Sequence, residues 1–274
     1  MVLFRKAITK LEEILNKKTA LQKNLYQPYI PISTDIDKLC SNLCDLLGLE
    51  EMVLRTMWLE YEQFSQLQNY AEILGERKTL ATEEAFIIYV LASNFRPQNF
   101  VEIGTQHGRS TRRIIDLAQR LGLNASITCF DIVNLVKHFS PDEANLVLKD
   151  ITETVKEDIF GCYESGIIYL DAHPYYLLKN VLKTFLKYQN WILVIHDCSR
   201  GLCNPQMNLS REDVLGITSL TGHWERHVLA EIFNVDDVMS DCLNYGQTES
   251  HVRMIFDTPH GICVILPKCF LSYE

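Results

Sequence analysis

FVEIGTQHGRST, residues 100–111, runs from a short apolar stretch into an acid, two glycines and a Ser/Thr pair suited to cap a helix. In a doubly wound α/β sheet that order sets a strand end, a close backbone turn and a helix N-terminus against a nucleoside-bearing cofactor. The spacing departs from the dinucleotide fingerprint. Thr105-Gln106-His107 separates Gly104 from Gly108, no third glycine follows, and Glu102 lies within the strand end. Glu102, Gly104, Thr105, Gly108 and Ser110 are the residues this segment offers to a cofactor.

Working outward, strand-like runs recur at 99–103, 126–131, 145–148, 166–170, 191–195, 252–256 and 261–266. Helical patterns fill 111–121, 138–144, 153–160 and 176–187. The short turn 257–260 joins the last two strands as a hairpin, so the expected sheet has seven strands and an antiparallel last one. Upstream, apolar residues from Phe4 to Leu25 recur at helical spacing until Pro28 and Pro31 interrupt them. Ser33 or Thr34 is placed to cap a helix that Gly48 ends, and a third helix spans 51–74 before Gly75. The apolar run 82–94 reads as a helix buried against the sheet. Residues 1–80 are therefore expected to form a helical cap or oligomerisation region, with a homodimer through these helices. Residues 81–274 form the domain that carries the site.

Composition limits the function. The chain has 274 residues, 47% of them hydrophobic, which suffices for one substantial core. Its formal charge of −9 disfavours a nucleic-acid partner, since phosphate binding is largely electrostatic. The nine cysteines are odd in number and lie mostly in apolar runs, as buried thiols in a reducing compartment do. Cys40 and Cys44 share a helix face with Ile36, Leu43 and Leu47, which reads as packing rather than a metal pair. The N-terminus MVLFRKAITK meets charge before an apolar stretch develops, and no run reaches spanning length. A cytoplasmic location and no membrane partner are expected.

The remaining candidates sit where strands end. Asp131 closes ITCFD one βα unit beyond the glycine loop, where a carboxylate can accept from both ribose hydroxyls, and Ile132 follows it. Asp150 follows the third strand, placed to touch the adenine or the loop around it but equally suited to turn chemistry. YLDAHPYY puts Asp171 and His173 after the fourth strand, and VIHDCS puts His196 and Asp197 after the fifth. Neighbouring strand ends lie about 5 Å apart, so these groups can converge across the sequence between them. Two carboxylates beside an imidazole call for a cation, and hard oxygen donors with one nitrogen suit Mg²⁺ or Mn²⁺. Asp171, His196 and Asp197 are the expected ligands. His173 is the expected proton acceptor beside catalytic Asp171, with His107 and His223 in reserve.

VEIGTQHGRS, FDI, YLDAHPYY, IHD and the closing HGICVIL together resemble class I S-adenosylmethionine (SAM) methyltransferases. The similarity is to the metal-assisted O-methyltransferases grouped with macrocin O-methyltransferase, the cephalosporin-hydroxylase-like proteins and the methyltransferase 24 group. It covers roughly residues 82–267. It implies a Rossmann-like seven-stranded sheet, SAM held by Glu102, Gly104 and Asp131, and metal at Asp171 and Asp197. The acceptor implied is a hydroxyl of a small metabolite, a natural product or a sugar-containing compound. His196 departs from the family's carboxylate or amide, and Tyr188-Gln189-Asn190 replaces its Pro-Gly-Gly turn. Three other readings use the same fold. They are an NAD(P)-dependent oxidoreductase, an iron-dependent hydroxylase, and a non-catalytic SAM-binding or scaffold protein. The long segment between the fifth and sixth strands is expected to shape the acceptor pocket, with contact at 221–224.

Overall fold

The computed structural model describes residues 34–70, 74, 80–206 and 223–271. The N-terminal helical pattern, and with it the expected dimer contact, lies largely outside the described residues. The middle of the 198–223 segment does too. Labels below count described elements only.

Helix α1 (Ile36–Leu47) starts on Asp35, whose carboxylate accepts from the Lys38 N–H at 3.1 Å, and ends on Gly48 at φ 68°. The cap is therefore Asp35 rather than Ser33 or Thr34. Helix α2 (Glu51–Leu67) stops earlier than its periodicity predicts, because the chain turns left-handed at Asn69. Helix α3 (Thr82–Phe95) is buried without interruption from Glu84 to Ala92, a stretch apolar all round except for Glu84. Beyond it come β1 (Asn99–Ile103), α4 (Arg109–Arg120), β2 (Ser126–Asp131) and β3 (Asn145–Leu148). A π-helical turn at Lys156–Phe160 leads to β4 (Gly166–Leu170), α5 (Tyr175–Phe185) and β5 (Trp191–Ile195). Helix α6 (Glu225–Ile232), β6 (Tyr245–Gln247), β7 (His251–Phe256) and β8 (Ile262–Pro267) complete the order.

The sheet runs β3-β2-β1-β4-β5-β8-β7-β6, with β1 to β5 parallel and the last three strands antiparallel to their neighbours. The expected parallel set and closing hairpin are present. The count is corrected from seven to eight by β6, a three-residue edge strand that no alternation announces. Gly246 at its centre leaves room for the Arg253 guanidinium, which a Cβ would approach to 2.5 Å. The expected helix at 138–144 is also absent. Ser140 donates both its N–H and its hydroxyl to Glu143, which closes a single turn instead.

Strand side chains alternate between two cores. Phe100, Tyr169, Val194 and Val264 face α1 to α4 on one side, while Val101, Ile168, Leu193 and Ile265 face α5 and α6 on the other. This double burial explains why the central strands read as continuous apolar runs. Both α1 and α2 share a core with α3, and Cys40 is fully buried in it. All nine cysteines are free. Among the described residues, no helix is long and apolar enough to cross a membrane.

Candidate active site

Parallel register assembles the site. Ile103 aligns with Phe130 on one side and Leu170 on the other, and Leu170 aligns with Ile195. The next residues continue the ladder as a staircase. Gly104 N–H donates to Phe130 O at 2.9 Å, Asp171 N–H to Ile103 O at 2.9 Å, and His196 N–H to Leu170 O at 3.0 Å. Four strand ends thus deliver Asp131, Gly104, Asp171 and His196 to one rim. A separate cavity of about 560 Å³, lined by Arg96, Asn99, Leu123 and Ser126 among others, lies at the opposite, amino ends of β1 and β2. It holds none of the candidate residues.

The glycine loop is shaped by contacts within the protein. A Cβ on Gly104, at φ 93°, would meet the Asp171 carbonyl oxygen at 2.2 Å, and one on Gly108, at φ 76°, would meet the Phe139 ring at 2.6 Å. Asp131 holds the loop from the side, accepting from the Gln106 N–H at 2.7 Å and the Val133 N–H at 3.1 Å. Ile132 is 62% exposed beside it. Glu102 has a different occupation from the one its place in the segment suggests. It is fully buried, and its two oxygens accept from the Ser110 and Thr111 hydroxyls at the start of α4. Burial pushes its carboxyl up to about 7 against those hydroxyl bonds. Ser110 is thereby engaged with Glu102. Thr105 is buried with its hydroxyl unpartnered, and Asp150 accepts from the Thr152 N–H in a local turn.

At the other end of the rim, imidazoles and carboxylates interleave. Asp197 adopts a left-handed φ of 59°, a conformation its short polar side chain tolerates, and this directs its carboxylate into the group. His196 is buried, with Nδ1 at 3.1 Å from Asp197 and 3.3 Å from Asp171, and Nε2 at 3.1 Å from Glu84. His173 Nδ1 lies 2.8 Å from Glu225 and its Nε2 3.7 Å from Asp197. His223 Nδ1 is 3.4 Å from Asp197. Glu84 also meets His260, whose Nδ1 is 3.1 Å from Oε2.

Burial opposes charge on His196, His173, Asp197 and Glu84, and the pairing overcomes it, whereas at Glu225 burial prevails over His173 and raises the carboxyl. Burial would lower His196, but Asp197, Asp171 and Glu84 raise it well above its ordinary value. For His173 burial acts downward too, and Glu225, Asp197 and Asp171 bring it up to about 9. Burial raises Asp197 and Glu84, yet the imidazoles hold both below the usual carboxylate range. In the ligand-free site these carboxylates thus favour the protonated His173 ring, against the free nitrogen that a proton acceptor needs. Glu84, Glu225 and His260 are the members that sequence reasoning passed over. The signal for Glu84 was an acid at the start of the apolar run 85–92.

These shifts fix the sign of a pH dependence. A histidine raised in the folded state contributes stability that is complete below its unfolded value of 6.5 and lost as pH climbs through the folded value. Glu102, raised from 4.5 to about 7, adds a loss in the same direction. At His173, His196 and Glu102 the folded state binds more protons than the unfolded chain in this window, opposed near its lower end by His138, His227 and His251, which burial lowers. The urea midpoint of ligand-free protein is thus expected to fall steadily from pH 6.5 to 9. A flat profile would show that the imidazoles are not held by these carboxylates.

No known protein-family profile matches the chain, and no curated protein does. Among solved structures, it is similar to CmcI with Mg and SAM, at 18% identity over 44% of this chain and 54% of that one, TM-score 0.38. It is similar to the SAH-bound methyltransferase PaMTH1 of Podospora anserina, at 14% identity over 89% and 100%, TM-score 0.43. A third is the O-methyltransferase TomG of Streptomyces achromogenes in complex with SAM, at 15% identity over 85% and 96%, TM-score 0.41. The chain spans about half the length of CmcI, 54%. These TM-scores lie below 0.5, so the fold rests on the strand order and register above.

Proposed function

We propose that the chain is a SAM-dependent O-methyltransferase acting on a hydroxyl of a small metabolite, with Mg²⁺ or Mn²⁺ at Asp171 and Asp197. The observation that carries this reading is the staircase that sets the 104–108 loop, Asp131 and the acids after β4 and β5 on one rim. The donors suit a hard cation. Asp171, His173 and Asp197 offer ligand atoms within 4.8 Å of one another, and all three are partly accessible. His196, expected among the ligands, approaches Asp171 and Asp197 with Nδ1 while Glu84 engages its other nitrogen, so His173 is the better third donor.

Bound SAM would supply a sulfonium methyl group, and a divalent ion would acidify the acceptor hydroxyl. The chain's own part is positional. Gln106 and Val133 fix Asp131, which retains lone pairs for a ribose diol, and exposed Ile132 offers an apolar face beside it. Glu225 orients the His173 ring through Nδ1, leaving Nε2 toward Asp197 and the acceptor side. Nε2 is then the atom His173 would present to the ion, while Glu225, the largest of the charges favouring its protonated ring, holds Nδ1. The net charge of −9 supports a small acceptor rather than nucleic acid.

Calorimetric titration with SAM, first in EDTA and then with Mg²⁺ and pooled hydroxylated metabolites, tests the reading. Saturable SAM binding followed by metal-dependent methyl transfer is expected. Absence of SAM binding under both conditions overturns it. In Asp197→Asn, SAM binding is expected to survive while kcat falls by at least about a hundredfold, beyond the 10- to 100-fold typical of losing an outer-shell partner, because the ion loses a charged ligand. Undiminished turnover would remove Asp197 from the site.

A further inference from the structure

On the α3 side of β4 and β5, behind the rim, Glu84, His196 and His260 meet from three elements far apart in sequence. Glu84 lies in the first turn of α3, His196 follows β5, and His260 occupies the β7–β8 turn. We propose that these three residues form a transition-metal site, taking Zn²⁺ or a similar borderline ion, separate from the Asp171–Asp197 rim and independent of the methyl-transfer reading.

Both spacings from the carboxylate are those of a coordination polyhedron. Glu84 Oε2 lies 3.1 Å from His196 Nε2 and 3.1 Å from His260 Nδ1, and all three ligand atoms fall within 4.8 Å. Two donors about 2.1 Å from one ion stand about 3.0 to 3.4 Å apart for angles between square and tetrahedral. The carboxylate is already fixed, since the His260 N–H reaches Oε1 at 2.7 Å and the Ala81 N–H reaches Oε2 at 2.8 Å. Two imidazoles and one carboxylate select zinc, cobalt or ferrous iron over the hard ions suited to the rim.

The outer contacts agree. A metal-bound histidine commonly donates its other ring N–H to a carboxylate. His196 turns Nδ1 toward Asp171 and Asp197 at 3.3 and 3.1 Å, and that nitrogen is buried without a well-directed hydrogen bond. With an ion at Nε2, a neutral ring carrying its proton on Nδ1 satisfies both sides. Tyr169, its ring 5.9 Å from that of His196, adds a buried hydroxyl with no partner to the same face. His260, 15% exposed through its side chain, gives the site its contact with solvent.

The test strips the full chain with EDTA and titrates Zn²⁺ or Co²⁺ alone, reading bound metal, the Co²⁺ visible spectrum and the thermal midpoint. Wild-type protein is expected to retain a single ion per chain, with a nitrogen-ligated Co²⁺ spectrum and a raised midpoint. His260→Gln should weaken retention by about a hundredfold, at or beyond the upper end for losing an outer-shell partner. His173→Gln should retain it, because His173 belongs to the rim group. Failure of the wild-type protein to retain either ion overturns the proposal and leaves a hydrogen-bonded network. Retention that survives His260→Gln but not His173→Gln overturns it by placing the ion at the rim.

Discussion

Gly104→Ala is expected to lower unfolding stability by about 2–5 kcal/mol and to displace Asp171 from the rim. A left-handed residue with a Cβ costs about 1–2 kcal/mol, and forcing an atom into a filled space adds about 1–3 kcal/mol. Here the obstacle is the Asp171 carbonyl oxygen, 2.2 Å from the added atom, which belongs to backbone and cannot swing aside. Relief requires β1 and β4 to separate at the step where Asp171 N–H meets Ile103 O. Urea denaturation reads the first effect, and loss of any divalent-dependent activity reads the second. An unchanged midpoint would show that the loop has freedom to move aside. Glycine here serves the approach of two strands before it serves any ligand.

Glu84→Ala is expected to cost about 3–5 kcal/mol, the range for removing one partner of a buried ion pair. Glu84 is fully buried, and His196 and His260 both direct nitrogens at it. Alanine leaves His196 facing Asp171 and Asp197 without its counterweight, and leaves the Ala81 and His260 N–H groups without their acceptor. Glu84→Gln separates charge from shape, because the amide still accepts from one donor but cannot balance an imidazolium. It should recover only part of the loss in urea denaturation at pH 7. If Gln matches Glu, hydrogen bonding rather than charge holds the cluster.

The rim was legible because register in a parallel sheet is simple. Once 100–103, 166–170 and 191–195 are read as neighbouring strands, the residues after each must meet, and Asp171, His196 and Asp197 do. Asp131 was equally plain, although its present bonds go to the loop it was expected to flank. Glu102 is offered to the cofactor by its sequence because it ends a strand beside glycines. The fate of its side chain depended on Ser110 and Thr111 pointing back from α4, which spacing does not reveal. Glu84 escaped notice because acids are ordinary in a first helical turn, and only packing against β5 and the β7–β8 turn makes this one exceptional. His173 was found, but its protonation depends on Glu225, which folds in from beyond the insertion. Strand β6 is three residues long with glycine at its centre, too short to carry a period.

The link from Glu84 to His260 spans 176 residues, and that from Glu84 to His196 spans 112. During synthesis α3 leaves the ribosome long before either imidazole exists. An ionised acid cannot be buried alone, so docking of α3 with its carboxylate charged must wait for β5 and then the final hairpin. The emerging chain consequently holds a large greasy helix in suspension until residue 260 has been made.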